Sequence, residues 1–431
     1  MIPDVIRTPA LLLGMLILGA CQSQLLLMPT PEVLRDERFN VFEMNPQPLT
    51  SNELHVLYAT TREPASGDAF FSGRPDDELH LGYADVRVGD RNLNLFELIE
   101  QSTTAEREEI FAWDVLDAHT LSSVSRPADR EAGESLYPEA MQHYLAALND
   151  YIESRPKKEL TIYAHGANST FYWSVAQAAQ FQYFTGDNAT VVAFSWPSPG
   201  SLMGYGRDKR RADRAATDLA YLIEVLAAHS VATRIHLLAY SAGGRVVGRA
   251  LTELATRHSN PEELRIGQVY LTQSDEPLIE FVEALPTFFP LVEGLTVTAA
   301  AGDPVLSLAR MTDGRLRLGA AGEGADVGEK VDEEVWQQVV AILDSDRMAF
   351  VDLRDVPEKN YDFAHGAWYE SPWVSTDVMV TLLAGDITAA ERGLIPHQEH
   401  DVRVWSFPED YPDRVKTNLI SLRAQRAAKG P

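Results

Sequence analysis

The 431-residue sequence holds a single cysteine, Cys21. No intramolecular disulfide can therefore form, and neither a cysteine nucleophile nor a cysteine-based metal site can be built elsewhere in the chain. Positive charge is also scarce: 37 Lys and Arg stand against 63 Asp and Glu, a net charge of -26. Apart from Arg207 to Arg214 no basic cluster stands out. Such a surface repels phosphate backbones, so nucleic acid is not an expected partner. The apolar run Ala10 to Leu18 is too short to span a bilayer as a helix. No His-Glu-x-x-His, paired Cys or clustered Asp motif occurs, so neither a metal nor another cofactor is expected.

What is present suits a globular enzyme. With 45% apolar residues the chain can bury one large core or two ordinary ones. At the amino end, Arg7 and the apolar run lead to Leu18-Gly19-Ala20-Cys21, followed by polar Gln22 and Ser23; this has the layout of a cleaved signal segment. It resembles a bacterial lipoprotein signal. The resemblance implies cleavage before Cys21, lipidation of that residue (palmitate among the acyl groups) and tethering to a membrane. Gln22, where an Asp would mark retention, implies the outer membrane of a two-membrane bacterium, facing the periplasm. A secretory signal without lipid, in which Cys21 is incidental, is the competing reading.

Residues 21–50 contain several prolines and no sustained period, and read as a tether. Strands are expected over Leu54–Thr60, Leu79–Val88 and Ile110–Val115, forming an antiparallel leading edge. After Leu136 helices alternate with buried strands, which predicts a mostly parallel sheet covered on both faces. The expected order is helix Glu139–Ile152, strand Leu160–Ala164, helix Phe171–Tyr183, strand Thr190–Phe194 and helix Asp208–Ala228. Strands Ile266–Thr272 and Leu295–Ala300 follow the central serine. Arg310–Asp332, rich in Gly and charge, reads as an excursion or flap, and its part Gly314–Gly328 as a lid over the pocket or a disordered surface loop. A helix Val335–Leu343, a last strand Ala349–Leu353 and a helix Trp373–Leu383 complete a domain over 51–385. Residues 386–431 are expected to fold back on it as an extension.

Ligands of parallel sheets bind beyond the carboxyl ends of the strands, so polar residues there are the candidates. Arg234–Arg245 reads as a buried strand that breaks at Ser241 and passes into a helix, the nucleophile-elbow pattern. Small neighbours let strand and helix approach, and Ala239, Ala242, Gly243 and Gly244 are small; Ala239 stands where the pattern has its first Gly. A serine hydroxyl needs a base, and the base needs an acid to fix its tautomer. Asp303, after Leu295–Ala300, and His365, after the last predicted strand, supply these in the chain order Ser, Asp, His. Asp275 is the alternative acid. The oxyanion needs two backbone donors, expected from Ala242 and, after His165-Gly166, from Ala167. His165, Gly166, Asn168, Trp196 and Tyr240 are the expected pocket residues. His236 reads as core, and His397 and His400 as solvated.

These residues identify a resemblance to the α/β-hydrolases, and within them to a bacterial esterase/lipase-like family of unknown function. The matching stretches are Tyr58-Ala59-Thr60-Thr61-Arg62, His165–Phe171, Phe194-Ser195-Trp196-Pro197-Ser198-Pro199-Gly200, Gly204-Tyr205 with Asp208, Leu237–Gly243, and Gly302-Asp303-Pro304 to Leu308. They lie within Leu54 to Leu383. Where that family carries His before the Ser, Met after it and then Gly-Asn, this chain has Tyr240, Ala242 and Gly244. The resemblance implies an α/β-hydrolase fold and a serine hydrolase acting on a small-molecule or lipid ester. A thioesterase or amidase would use the same three residues, and a non-catalytic envelope lipoprotein that keeps the fold is the reading from another class.

Overall fold

The computed structural model describes residues 24–43, 45, 49–126, 139–198, 205–322, 330–357, 364–399 and 402–429; of 205–210, 312, 364 and 429 it describes the backbone alone. The signal segment, Cys21 and part of the Gly-rich stretch lie outside these residues. Eleven strands form one sheet in the order β10-β11-β9-β8-β7-β6-β4-β5-β1-β2-β3. They are β1 Glu53–Pro64, β2 Phe71–Val88, β3 Trp113–Ser125, β4 Glu159–Ala164, β5 Thr190–Ser195, β6 Arg234–Tyr240, β7 Ile266–Thr272, β8 Val292–Ala299, β9 Met348–Asp352, β10 Ile395–Glu399 and β11 Val402–Ser406. From β1 through β5, β4, β6, β7, β8 and β9 to β11 every pairing is parallel. Antiparallel pairings occur at the two edges, β1-β2-β3 and β10-β11.

The pleat explains why the sheet is covered twice. Successive side chains point to opposite faces. Leu57, Ala59, Leu160, Ile162 and Leu237 accordingly join a core with Leu219, Leu222, Val246 and Leu251 of the helices Tyr205–His229 and Ala242–Arg257. Val56, Tyr58, Tyr163, Leu238 and Tyr270 join the other, with Val175 and Phe181 of the helix Phe171–Phe184 and Val374 and Val378 of Pro372–Ala384. Each fully buried Leu or Val contributes about 1.5–3 kcal/mol. The helix Phe171–Phe184 is buried on nearly every side, because the N-terminal segment covers the flank that the sheet does not.

That segment corrects the expected tether. Leu25, Leu27, Met28, Val33, Leu34, Phe39 and Phe42 are buried. Met28 N donates to Gln180 Oε1 at 2.7 Å, and Leu27 N to Phe111 O at 2.8 Å. The prolines that suggested a leash interrupt a run of apolar anchors instead. Of the Gly-rich excursion, part of the described stretch up to 322 is likewise packed. The helix Pro304–Asp313 takes its first residues, Arg317 and Leu318 are buried, and Leu278 N donates to Leu316 O at 2.9 Å. At the carboxyl end, β9 is not the last strand: β11 pairs with it, so 386–431 continues the sheet. A two-strand hairpin of mixed polarity, Ile-Pro-His-Gln-Glu and Val-Arg-Val-Trp-Ser, gave too little alternation to be read as strands.

Candidate active site

Ser241, directly after β6, has φ 54° and ψ -121°, a conformation costly for any residue with a side chain, on the order of 1–3 kcal/mol. Hydrogen bonds hold it there. Ser241 N donates to Thr272 O at 3.0 Å, while Asp275 N and Gly244 N donate to Ser241 O at 3.0 and 2.9 Å. The close approach of strand and helix makes two glycines necessary: a Cβ on Gly243 would collide with Ala164 O and His165 O, and one on Gly244 with the Ser274 side chain. Ala239, by contrast, packs its methyl into the core.

Asp303 and His365 arrive from two other strand ends. Gly302, at φ 88°, turns the chain after β8. Asp303 then caps the helix Pro304–Asp313, its Oδ1 accepting from Val305 N at 2.9 Å and Leu306 N at 3.1 Å. That leaves Oδ2 for His365 Nδ1, 2.8 Å away. His365 Nε2 lies 2.9 Å from Ser241 Oγ. With Nδ1 donating to the carboxylate, Nε2 is left to accept the serine proton. All three side chains are buried. Asp275 goes elsewhere: its Oδ1 lies 2.8 Å from Nε of buried Arg317.

The turn after β4 packs directly on the serine, for a Cβ on Gly166 would lie 3.0 Å from Ser241 Cβ. Ala167 and Asn168 form its exposed tip, Asn168 at φ 58° with its N–H donating to Ser198 Oγ at 2.7 Å. Ala242 opens the helix whose first-turn amides lack intrahelical acceptors and carry the positive end of the dipole. His165 and Trp196, expected to line the pocket, are fully buried. Their rings stack at 5.2 Å and 3°, and Trp196 Nε1 donates to His165 O at 2.9 Å. They support the turn from below, because residues following buried strands are themselves drawn into the core. Burial, then the Arg62 charge, push the His165 pKa down to about 3, so it is a neutral ring. Tyr240 is half-buried, its ring 5.2 Å from that of His365, and burial followed by Tyr369 raises its pKa well above the ordinary tyrosine value.

Two other features lie away from this cluster. Ligand atoms of Asp352, His397 and Glu399 lie within 4.8 Å of one another, but the Arg354 guanidinium bonds both carboxylates. His397 is half-buried and pairs with Glu399 at 3.2 Å, rather than standing in solvent. His236 is core, its Nδ1 accepting from Gln268 N at 2.9 Å. Arg62, which the sequence shows only as part of a motif, also meets the turn after β4. Its signal was an arginine directly after a β-forming run, Tyr58-Ala59-Thr60-Thr61.

A parallel sheet covered on both faces, with a strained serine elbow and a strand-end histidine and aspartate, defines the chain as an α/β-hydrolase. Residues 140–384 match the model of the family described as alpha/beta hydrolase of unknown function, DUF900; the chain belongs to that family. It is 33% identical over 73 residues to the uncharacterized protein alr1448 of Nostoc sp. PCC 7120, a match that spans 17% of this chain and 19% of that protein. Among solved structures it is similar to one described as a cell surface hydrolase from Lactobacillus plantarum WCFS1, at 13% identity and a TM-score of 0.27, over 57% of this chain and 87% of that one. An esterase from Pyrococcus furiosus follows at 14% identity and a TM-score of 0.26, over 46% of this chain and 72% of that one. At such scores neither structure bears on the chemistry.

Proposed function

We propose that the protein is a serine hydrolase that cleaves a carboxylic ester through an acyl-enzyme. The observation that carries this reading is His365, hydrogen-bonded on one side to the Asp303 carboxylate and on the other to the Ser241 hydroxyl. Ser241 Oγ attacks the ester carbonyl carbon while His365 Nε2 takes its proton. Asp303, paired with Nδ1, orients the ring and stabilises its cationic form. The Ala242 and Ala167 amides receive the oxyanion. His365 returns the proton to the departing alkoxide, and the alcohol leaves. Water, deprotonated by the same ring, attacks the acyl-enzyme; the proton passes back to Ser241 as the acid departs.

A fluorophosphonate probe and a short p-nitrophenyl ester test the proposal together. The wild type is expected to label and turn over, and Ser241→Ala to do neither; equal behaviour of the two proteins would falsify it. Hydrolysis of thioesters or amides in preference to the matched ester would move the substrate class and keep the nucleophile.

We also propose that Cys21 is lipidated and holds the protein on the envelope, at the outer membrane facing the periplasm. The motif Leu18–Cys21 supports this, and among the described residues no helix is long and apolar enough to cross a membrane. With packing beginning at Leu25, the body would be moored close to its anchor. Cys21→Ser is expected to move the protein to the soluble fraction; retention in the membrane counts against the anchor.

A further inference from the structure

Strand β1 carries Arg62 two residues beyond Thr60, which pairs with Ser195 of β5. A register shift lies between Thr60 and Arg62 in the ladder with β2. Such irregularities re-aim a side chain, and this guanidinium points inward, 1% exposed. Its nitrogens reach three parts of the chain. Nε donates to Ser195 Oγ at 3.0 Å and Nη1 to Ser72 O at 3.3 Å. Nη2 donates to Ser169 O at 2.7 Å and lies 3.2 Å from His165 Nε2. The fork thus grips the turn 165–169 at its first and last residues and ties it to the ends of β1 and β5.

Each of these partners is uncharged. A buried guanidinium is costly to desolvate and is ordinarily met by a carboxylate. Here the neighbouring acid Glu63 is bound to Arg74 at 2.7 Å. Burial, then the charge of Arg211, lower the Arg62 pKa to about 9, which leaves it cationic at neutral pH beside a neutral His165. Neutral side chains could tie a turn to a sheet without that cost. Retaining a charge beside the turn that presses on Ser241 makes sense where negative charge develops in a reaction.

We infer that Arg62 is a positioning residue of the hydrolytic site: its buried guanidinium holds the turn 165–169 against Ser241, and its charge, which no described carboxylate neutralises, stands behind the oxyanion amides. The inference rests on the serine hydrolase reading and names a part of its machinery. It makes the Tyr58–Arg62 motif part of the site although no atom of Arg62 touches substrate.

The test uses the full chain as wild type, Arg62→Lys and Arg62→Met. Hydrogen exchange reads the turn, and steady-state hydrolysis of p-nitrophenyl acetate reads the chemistry. In Arg62→Met the amides of 165–170 are expected to exchange at least about tenfold faster while β4 and the helix Ala242–Arg257 keep their protection. The kcat is expected to fall about 100-fold, the effect of a misplacement of roughly 1 Å, with KM changed less than about threefold. Arg62→Lys, which keeps charge without the fork, is expected to recover part of kcat and none of the protection; it is also the variant to read if Arg62→Met does not fold. Unchanged protection with kcat within about threefold of wild type overturns the inference. If the wild type itself neither labels nor turns over, the hydrolase reading fails, and the exchange arm alone decides whether Arg62 holds the turn.

Discussion

The turn after β4 presents His165 and the short helical turn Ala364–Gly366 presents His365, and both pack around Ser241. His165 is stacked on Trp196, faces the Gly166 and Trp196 carbonyl oxygens at 2.7 and 3.0 Å, and lies beside a buried cation. His365 lies between a carboxylate and a hydroxyl. The residue type is the same, although His165 follows β4 directly and His365 stands thirteen residues beyond the end of β9. What differs is the set of partners: a ring cut off from water and beside a cation stays neutral, against the pull of two carbonyl oxygens, and serves as a brace. One with a carboxylate behind it and a hydroxyl before it can take the hydroxyl proton and hold it as a stabilised cation.

The largest expected contrast breaks this pair apart. His365→Ala is expected to lower kcat by about 10⁶-fold, in line with removal of a member of such a unit, while His165→Gln keeps at least about one hundredth of the activity. Comparable losses in single-turnover assays would mean that the two turns are not differentiated as described. The acids divide likewise. Asp303→Asn is expected to cost about 10⁴-fold in kcat. Asp275→Asn should spare kcat within about tenfold but lower stability by about 3 kcal/mol in urea titrations, since the buried Arg317 loses a partner. An activity loss at Asp275 larger than at Asp303 would reverse the assignment.

A smaller effect sharpens the comparison through pH. Between pH 6.5 and about 3 the unfolded chain binds a proton at His165 that the folded chain does not. Stability is therefore lost as pH falls through that window, by up to about 1.4 kcal/mol per unit. Denaturant titrations at pH 6.5 and 5.5 should show a shallower decline for His165→Gln than for the wild type; parallel lines would contradict the buried neutral ring. Glu276, raised to about 7 by burial ahead of its other causes, acts in the opposite direction in both proteins and cancels from the difference. The smallest effect is expected from Trp196→Phe, which keeps an aromatic ring over His165 and removes the donor to His165 O. It should cost about 1 kcal/mol of stability and change kcat/KM by less than about threefold.

Much of the fold was legible because its strands are buried on both faces. β4, β5, β6 and β7 are short apolar runs between helices whose stripes recur at helical spacing, and local pattern is enough for such elements. The elbow and the residues after β8 and β9 followed, since strand ends are where such sheets place chemistry. Three features did not follow. The N-terminal segment reads as a leash because its apolar residues have no period of their own; they fit the flank of one particular helix. The hairpin β10-β11 carries polar residues on both faces. His165 and Trp196 lie under the turn rather than in the pocket through contacts with each other and of His165 with Arg62, about a hundred residues earlier in the chain.

The sequence by itself determined the sheet class, the serine at the break of β6, and the order in which serine, aspartate and histidine appear. Those properties reside in periodicity, small residues and turn chemistry within a few positions of one another. Only the tertiary structure decided that Asp303 rather than Asp275 meets His365, that His165 is a brace, and that residues 25–42 are packed. The physical reason is common to all three. Whether a carboxylate faces an imidazole or a guanidinium, and whether a ring meets water or a stacked indole, is set by which strand ends lie side by side. Contacts between residues 62 to 343 positions apart leave no trace in local pattern.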